Sequence, residues 1–142
     1  GLSTVTLRYF NVYGPRQPLK GTYAPVIGLF EEQKKARKPC TIVGDGEQRR
    51  DFTHVSDVVE ANMCAMQTNC NGVFNIGTGK NHSVNDIAKL VNNPYNTIQI
   101  PSRPGEARIT LADNTKAKTL LGWEPKKELH EYFENSSKIS RW

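Results

Sequence analysis

Short apolar runs alternate with amphipathic segments along this chain. Four runs rich in β-branched and aromatic residues, at 5–10, 41–43, 72–76 and 98–100, are each followed directly by Asn, Gly or Pro. This pattern is typical of short strands that end in loops. The segments between them place apolar residues at helical spacing. Strands that alternate with helices predict an α/β fold.

Helix boundaries can also be predicted from the pattern. Pro25 fits the first turn of a helix that Pro39 ends, and Ser83 begins a capping box for a helix that continues through Val91. Gly122 follows a helix expected from Lys116, and the tail from 128 onward is expected to be helical. A further helix is expected to be capped by Ser56 or Asp57 and to bury one stripe, formed by Val58, Val59, Asn62, Met63 and Met66.

Composition indicates an ordinary globular protein. The 142 residues are 37% hydrophobic and 23% charged, which suits one domain or one piece of a larger one. No stretch approaches the roughly 20 apolar residues of a membrane span. The start lacks a secretion signal and an initiating Met, so we expect further residues upstream. Three cysteines and three histidines show no metal-ligand spacing, and we expect reduced thiols, no metal and a cytoplasmic location.

The net charge of +5 is compatible with nucleic acid, a membrane surface or a small anionic ligand. The lysines lie on separate segments without interleaved aromatic residues, which argues against a nucleic-acid-binding module. Arg50 and Arg103 instead stand beside turns, and the planar guanidinium suits a diphosphate. The alternative is surface ion pairs, of Arg50 with Asp51 or Asp57 and of Arg103 with Glu106. Residue chemistry alone leaves both interpretations open.

The sequence contains no complete catalytic or nucleotide-binding motif. Arg49 stands where the third glycine of a dinucleotide turn would be, and Thr78 stands where a P-loop requires lysine. No nucleophile elbow and no metalloprotease helix is present. The residues alone therefore predict no catalytic centre.

Several segments, taken in order, resemble the extended short-chain dehydrogenase/reductase family. They are LRYFNVYGPR (7–16), VGDG (43–46), RDFTHVSD (50–57), FNIGTG (74–79), RPGE (103–106), AD (112–113) and LLGWEP (120–125). Together they cover nearly the whole chain and are most similar to NAD-dependent nucleotide-sugar 4-epimerases of the UDP-glucose 4-epimerase type. The resemblance implies the C-terminal part of a Rossmann-like NAD-binding sheet plus the small α/β substrate-binding domain.

The family also has a glycine-rich NAD turn and a Tyr-x-x-x-Lys catalytic pair, and neither occurs here. We therefore expect residues 1–142 to be a single partial unit that lacks the N-terminal NAD-binding half and is catalytically silent alone. Such a unit exposes a sheet edge, so we expect it to self-associate or to pair with an N-terminal half.

The resemblance also implies roles for individual residues. Arg50 and Arg103 would bind the substrate diphosphate, Asn11 the phosphate or sugar, and Glu106 a ribose hydroxyl. Tyr9 would lie near the nicotinamide of NAD, and Ala24, Pro25, Val26, Thr41 and Val43 would line the uridine pocket. Phe52 stands where some relatives have tyrosine. Burial statistics also allow Tyr9, Val43 and Phe52 to be plain core, and Asn11 to be a turn residue.

The implied reaction is epimerisation of a UDP-sugar at C4. The family tyrosine takes the hydroxyl proton while hydride passes to NAD; the keto-sugar then rotates and hydride returns to its other face. A dehydratase, decarboxylase or reductase of the same family, or a non-catalytic binding fragment, is the alternative, because the fold is shared among them.

Overall fold

The computed structural model describes residues 1–21 and 24–139. The strands are β1 Val5–Tyr9, β2 Asn11–Tyr13, β3 Cys40–Val43, β4 Arg49–Arg50, β5 Phe52–His54, β6 Gly72–Ile76, β7 His82–Ser83 and β8 Thr97–Ile100. The helices are α1 Val26–Lys35, α2 Val55–Met66, α3 Val84–Val91 and α4 Leu129–Ile139, with a π-helical turn at Ala117–Leu121. The alternation of strands and helices predicted from the apolar pattern is confirmed.

The strands pair in twos. β1 pairs with β6, β2 with β5 and β3 with β8, all in parallel, whereas β4 and β7 are antiparallel. In the chain, α2 lies between β1 and β6 and α3 lies between β3 and β8, as parallel pairs require a crossover connection. The chain leaves one sheet for another at Phe10, because β1 ends at Tyr9 and β2 begins at Asn11.

Two apolar cores divide the molecule into two lobes. The first lies between α1, β3, α3 and α4 and contains Tyr13, Ile27, Phe30, Cys40, Ile42, Phe52, Val84, Ile87, Val91, Leu129 and Phe133. The second lies between α2, β6 and the π-helical turn and contains Val58, Ala61, Phe74, Ile76, Ala117, Leu121 and Trp123. Segment 49–54 lies at the boundary of the two cores, because its strand β5 pairs with β2, whose Tyr13 belongs to the first core and whose Val12 packs against the second.

The capping box predicted for α3 is confirmed. The Ser83 hydroxyl accepts the Asp86 N–H at 3.0 Å, and the Asp86 carboxylate accepts the Ser83 N–H at 3.0 Å. These bonds satisfy two of the N–H groups that a helix start leaves free. The helix ends at Asn92, which adopts the left-handed conformation at φ 49°.

The predicted start of α2 is wrong, and of the predicted buried stripe only Val58 is buried. The helix begins at Val55, and His54 is the cap, its Nδ1 accepting the Ser56 N–H at 3.1 Å. The buried residues of the helix are Asp57, Val58 and Ala61. The Trp123 indole donates to the Asp57 carbonyl at 2.9 Å and so holds this face of the helix against the second core. The remaining apolar residues form an exposed α2 stripe: Val59 (58% exposed), Met63 (46%) and Met66 (79%).

Candidate functional site

The two neighbouring arginines of β4 have different partners. The Arg49 guanidinium donates to the side-chain and backbone oxygens of Asn81, at 2.8 and 2.9 Å, and lies 3.6 Å from Asp86. Arg50 donates through Nη1 to the Arg49 carbonyl at 2.9 Å, and its Nη2 lies 3.3 Å from Glu106 Oε1. Successive strand residues point to opposite faces. Arg49 therefore holds β4 to the start of α3, and Arg50 is directed to the loop that follows β8.

A cavity of about 330 Å³ lies between the turn after β3 and the loop after β8, and we call it the loop cavity. It is lined by Val43, Gly44, Asp45, Gln48, Ser102, Arg103, Glu106, Ala107 and Arg108. Its contact with Glu106 brings Arg50 to the edge of this cavity. The exposed Arg103 makes no hydrogen bond or ion pair with any residue of 1–21 or 24–139. The structure thus brings Arg50, Arg103, Glu106 and Val43 together.

Neither of the ion-pair alternatives forms. Arg50 contacts neither Asp51 nor Asp57 through its guanidinium, within the segments that the structure describes, and Glu106 pairs with Arg50 instead of with Arg103. The Asp57 carboxylate accepts the backbone N–H groups of Lys126 and Lys127 at 3.1 and 3.0 Å. The carboxylates of Asp51 and Asp57 are therefore both bonded to groups other than Arg50.

A second pair of charges, which the sequence analysis missed, joins the two sides of the loop cavity. The Arg108 guanidinium donates two parallel bonds to the Asp45 carboxylate, each 2.8 Å long. Hydrogen bonds from Arg108 lower the pKa of Asp45 to about 2. The backbone continues the contact, because the Arg49 N–H donates to the Arg108 carbonyl at 2.8 Å. The sequence signal that could have indicated this pair is Arg108 itself, a third arginine five positions after Arg103 in a Pro/Gly-rich loop.

Asp51, also missed, fixes the segment that carries Arg50. Its carboxylate is fully buried and accepts four hydrogen bonds, from Thr78, Gly79 and Ala112. Its backbone carbonyl accepts the Asn11 N–H at 3.0 Å. The positions of Arg50 and Asn11 therefore depend on one buried residue between the two lobes.

Tyr9 and Asn11 line another cavity, of about 400 Å³, at the carboxyl end of β1. The other lining residues are Arg8, Phe10, Asn75 and Thr110. Tyr9 is 48% exposed, and its hydroxyl accepts a hydrogen bond from Asn62 Nδ2 at 2.9 Å. Tyr9 is therefore not a core residue, and Asn11, the first residue of β2, is not a turn residue.

Of the residues expected at the uridine, Val43 lines the loop cavity, whereas Ala24, Pro25, Val26 and Thr41 line neither of the two cavities. Pro25 is the cap of α1 and Val26 its first residue, with Ala24 just before it. Thr41 has both its N–H and its hydroxyl bonded to the Gln33 amide, at 3.1 and 2.8 Å. Phe52 is buried in the first core. The roles of these residues stay predictions.

Within residues 1–21 and 24–139, His, Cys, Asp and Glu side chains form no group of three or more that could hold a metal ion. The cysteines Cys40, Cys64 and Cys70 are all free thiols. None of the helices in the described part of the chain has the length and apolar character that crossing a bilayer needs.

Similarity to known proteins decides the family. A family model described as GDP-mannose 4,6 dehydratase matches residues 1–136. The chain belongs to this family. Among curated relatives, the putative UDP-glucose 4-epimerase of Methanocaldococcus jannaschii is 39% identical over 92% of this chain and 43% of that protein. The UDP-glucuronic acid decarboxylase 2 of Arabidopsis thaliana is 38% identical over 87% of this chain and 28% of that protein.

Solved structures agree with this assignment. The Thermotoga maritima UDP-glucose 4-epimerase with UDP-glucose superposes with a TM-score of 0.88, at 42% identity, over 96% of this chain and 45% of that one. The Bacillus cereus UDP-glucuronic acid 4-epimerase with UDP-glucuronic acid and NAD gives 0.80 at 36% identity, over 92% of this chain and 42% of that one. The chain thus spans less than half the length of these relatives. The predicted family and fold class, the C-terminal part of an epimerase-type α/β fold, are confirmed.

Proposed function

We propose that this chain is the nucleotide-sugar-binding half of an NAD-dependent nucleotide-sugar 4-epimerase of the UDP-glucose or UDP-N-acetylglucosamine type. The loop cavity carries this proposal. Arg103 has no partner there among the described residues, and Arg50 reaches the same cavity through Glu106. Guanidinium groups bind diphosphates through parallel charge-assisted hydrogen bonds. The T. maritima relative, whose structure contains UDP-glucose, makes a UDP-sugar the first ligand to test.

The proposed division of labour combines the two cavities with the roles that the resemblance to the family implies. Arg50 and Arg103 hold the diphosphate, Glu106 accepts the ribose hydroxyls, and Asn11 contacts the phosphate or sugar. The segment of Ala24, Pro25 and Val26, together with Thr41 and Val43, surrounds the uridine by backbone and shape. A firm hold on the nucleotide, which does not react, leaves the sugar free to rotate, since remote binding energy keeps the intermediate bound.

NAD would contact Tyr9 in the cavity of about 400 Å³ at the carboxyl end of β1, where the Tyr9 side chain is half-exposed and Asn11 is also part of the lining. Ligands of open α/β sheets bind at this end of the strands. The cofactor would accept hydride from the sugar and return it. The chain itself contributes only this contact, and we propose that a preceding half binds the rest of NAD and carries the catalytic pair.

An exposed apolar surface supports the proposal that residues 1–142 form one partial unit. The exposed α2 stripe is apolar, and Asn62, on the same helix, holds the half-exposed Tyr9 beside it. A contiguous exposed apolar patch marks a surface that another segment covers. We propose that the N-terminal half of the enzyme, or a second copy of this chain, covers it. The free thiols favour a reducing compartment such as the cytoplasm.

Thermal unfolding of the 142-residue chain with UDP or with NAD tests the proposal. A ligand of the native state at one hundred times its Kd adds about 2.7 kcal/mol, so UDP should raise Tm by about 5–10 °C. NAD should leave Tm unchanged, and NAD with UDP-glucose should yield no UDP-galactose. An unchanged Tm in millimolar UDP would contradict the proposed site, and turnover would contradict the proposed silence of the chain.

A decarboxylase is the second candidate, favoured by the 38% identity to the Arabidopsis enzyme. Both candidates would bind the diphosphate through the same arginines, so UDP binding cannot distinguish between them. Reconstitution with the N-terminal half of a related enzyme can: conversion of UDP-glucose to UDP-galactose supports the epimerase, and release of CO₂ from UDP-glucuronic acid supports the decarboxylase.

A further inference from the structure

Arg50 already holds an anionic group of the protein itself. Its Nη2 lies 3.3 Å from Glu106 Oε1, and the Arg50 side chain is only 14% exposed. Nη1 donates to the Arg49 carbonyl at 2.9 Å, which fixes the plane of the guanidinium. Glu106, which lines the loop cavity, therefore occupies the Nη2 edge of Arg50.

Any anion that binds this edge of Arg50 has to displace the Glu106 carboxylate. Within the described residues, the loop cavity offers Glu106 no idle cation except Arg103, because Arg108 is bonded twice to Asp45. Arg103 is the other group proposed to bind the phosphates. A bare pyrophosphate would thus leave Glu106 as an unpaired negative charge beside the newly bound anion, and like charges at this range repel.

A nucleoside diphosphate differs from pyrophosphate in bringing donors with it. Ribose hydroxyls can donate to the released carboxylate, and hydrogen bonds to a charged acceptor are the stronger kind. Displacement of Glu106 from Arg50 is unfavourable for pyrophosphate. For a nucleoside diphosphate, the new hydrogen bonds between its ribose hydroxyls and Glu106 offset that cost.

We infer that Glu106 is a specificity-determining residue: by competing for Arg50, its carboxylate makes the loop cavity select nucleoside diphosphates over pyrophosphate and phosphate. This inference rests on the proposed function and adds a competition to it. It assigns Glu106 two successive partners, Arg50 in the empty cavity and the ribose in the filled one.

Titration calorimetry with the 142-residue chain tests the inference through Glu106→Gln, which keeps the shape and removes the charge. Pyrophosphate should bind about threefold more tightly to the variant, since an ion pair whose carboxylate is 36% exposed is a weak competitor. UDP should bind about threefold more weakly, because the hydroxyls lose a charged acceptor. The selectivity for UDP over pyrophosphate should fall about tenfold.

The matched control is Glu47→Gln. It removes the same charge from the turn that borders the cavity, but from a carboxylate bonded to the Asn85 amide, so that no arginine is released. The selectivity should stay within about twofold of the native value. An equal fall of selectivity in this control would overturn the inference, since the effect would then be general electrostatics.

A ligand series needs no variant. The 2′,3′-dideoxy form of UDP lacks the ribose donors, so the native chain should bind it with an affinity closer to that of pyrophosphate than to that of UDP. Equal affinities of the native chain for UDP and its dideoxy form would overturn the inference, and so would equal changes in the affinities for UDP and pyrophosphate in Glu106→Gln. In either case, binding of UDP to the native chain would still support the proposed function. Failure of the native chain to bind UDP would overturn both.

Discussion

The buried Asp51 carboxylate holds Thr78 by both of its donors. Oδ1 accepts the Thr78 N–H at 2.8 Å and the Thr78 hydroxyl at 2.7 Å. Asp51 follows Arg50 directly, and Thr78 begins the turn that leaves β6. This relationship joins the segment with the proposed diphosphate ligand to the lobe that contains β1 and β6, so the proposed site depends on the junction of the lobes.

Replacement of Asp51 by Asn should therefore destabilise the fold strongly. Oδ2 accepts the Gly79 and Ala112 N–H groups at 2.9 and 3.1 Å, and an amide nitrogen in its place would face two donors. We expect a loss of about 3 kcal/mol in the free energy of unfolding, measured by urea denaturation. The control is Asp113→Asn, where the exposed side chain accepts the Thr115 N–H and an amide oxygen can take the place of the carboxylate oxygen. Equal losses in the two variants would contradict this account.

The turn after β3 should tolerate alanine at Gly44 better than at Gly46. Both glycines have positive φ, of 62° and 75°, so each alanine costs about 1 kcal/mol from the backbone alone. A Cβ on Gly46 would also lie 2.7 Å from Ile42 Cγ2 and against the Asn85 amide, whereas Ser102 Cβ is 3.5 Å from one on Gly44. Overpacking should add about 2 kcal/mol to Gly46→Ala. Urea midpoints that fall equally in the two variants would show that the turn relaxes.

The capping box of α3 should make a small contribution to stability that depends on pH. Hydrogen bonds to Asp86, that from the Ser83 N–H first, lower the pKa of its carboxyl below the ordinary 3.8. Because the folded pKa is the lower one, the stabilisation is present above about pH 4 and is lost as the pH falls through the folded pKa.

Asp86→Asn tests this expectation. Its penalty should be under about 1 kcal/mol at pH 7, since the side chain is 38% exposed to solvent, and should shrink toward zero at pH 3. Chemical denaturation of both proteins at the two pH values measures the difference. A penalty that stays the same at pH 3 would show that the carboxylate charge does not contribute.

The exposed α2 stripe should drive self-association of the isolated chain. Met63 is 46% exposed, so Met63→Lys should change the free energy of unfolding by no more than about 0.5 kcal/mol. It should nevertheless lower the average mass found by sedimentation velocity at high protein concentration. Ile98→Lys, at a residue 51% exposed on β8, is the matched control and should leave association unchanged. If the native chain stays monomeric over the same range of protein concentration, the proposal that the exposed α2 stripe drives self-association is contradicted.

The longer elements of the fold could be predicted because their signals are local. Ser83 and Asp86 are three residues apart, and the runs at β1, β3, β6 and β8 end at turn residues. The two-residue strands β4 and β7 could not, since two residues show no periodicity. The cap of α2 was missed because a histidine Nδ1 performs a role more typical of Ser or Asp.

Only the assignment of Arg50 and Arg103 to one site could be predicted, and it depended on the order of the family-like segments along the chain. Arg50 and Arg103 are 53 positions apart, and their residue types alone left open whether they meet. The partner of Arg50 was not predictable from spacing, because Glu106 reaches it through a loop. Thr41 is likewise bonded to Gln33, eight residues earlier, through a contact that depends on how α1 lies against β3.

The central claim is that Arg50 binds the diphosphate of a nucleotide, and titration of UDP into two arginine variants tests it most directly. Arg49→Gln and Arg50→Gln remove the same charge from adjacent residues with different partners. A charge-assisted contact contributes about 1.5–3 kcal/mol, so Arg50→Gln should weaken UDP binding about tenfold or more, and Arg49→Gln about twofold or less. Equal effects of the two variants, or none from Arg50→Gln, would contradict the account.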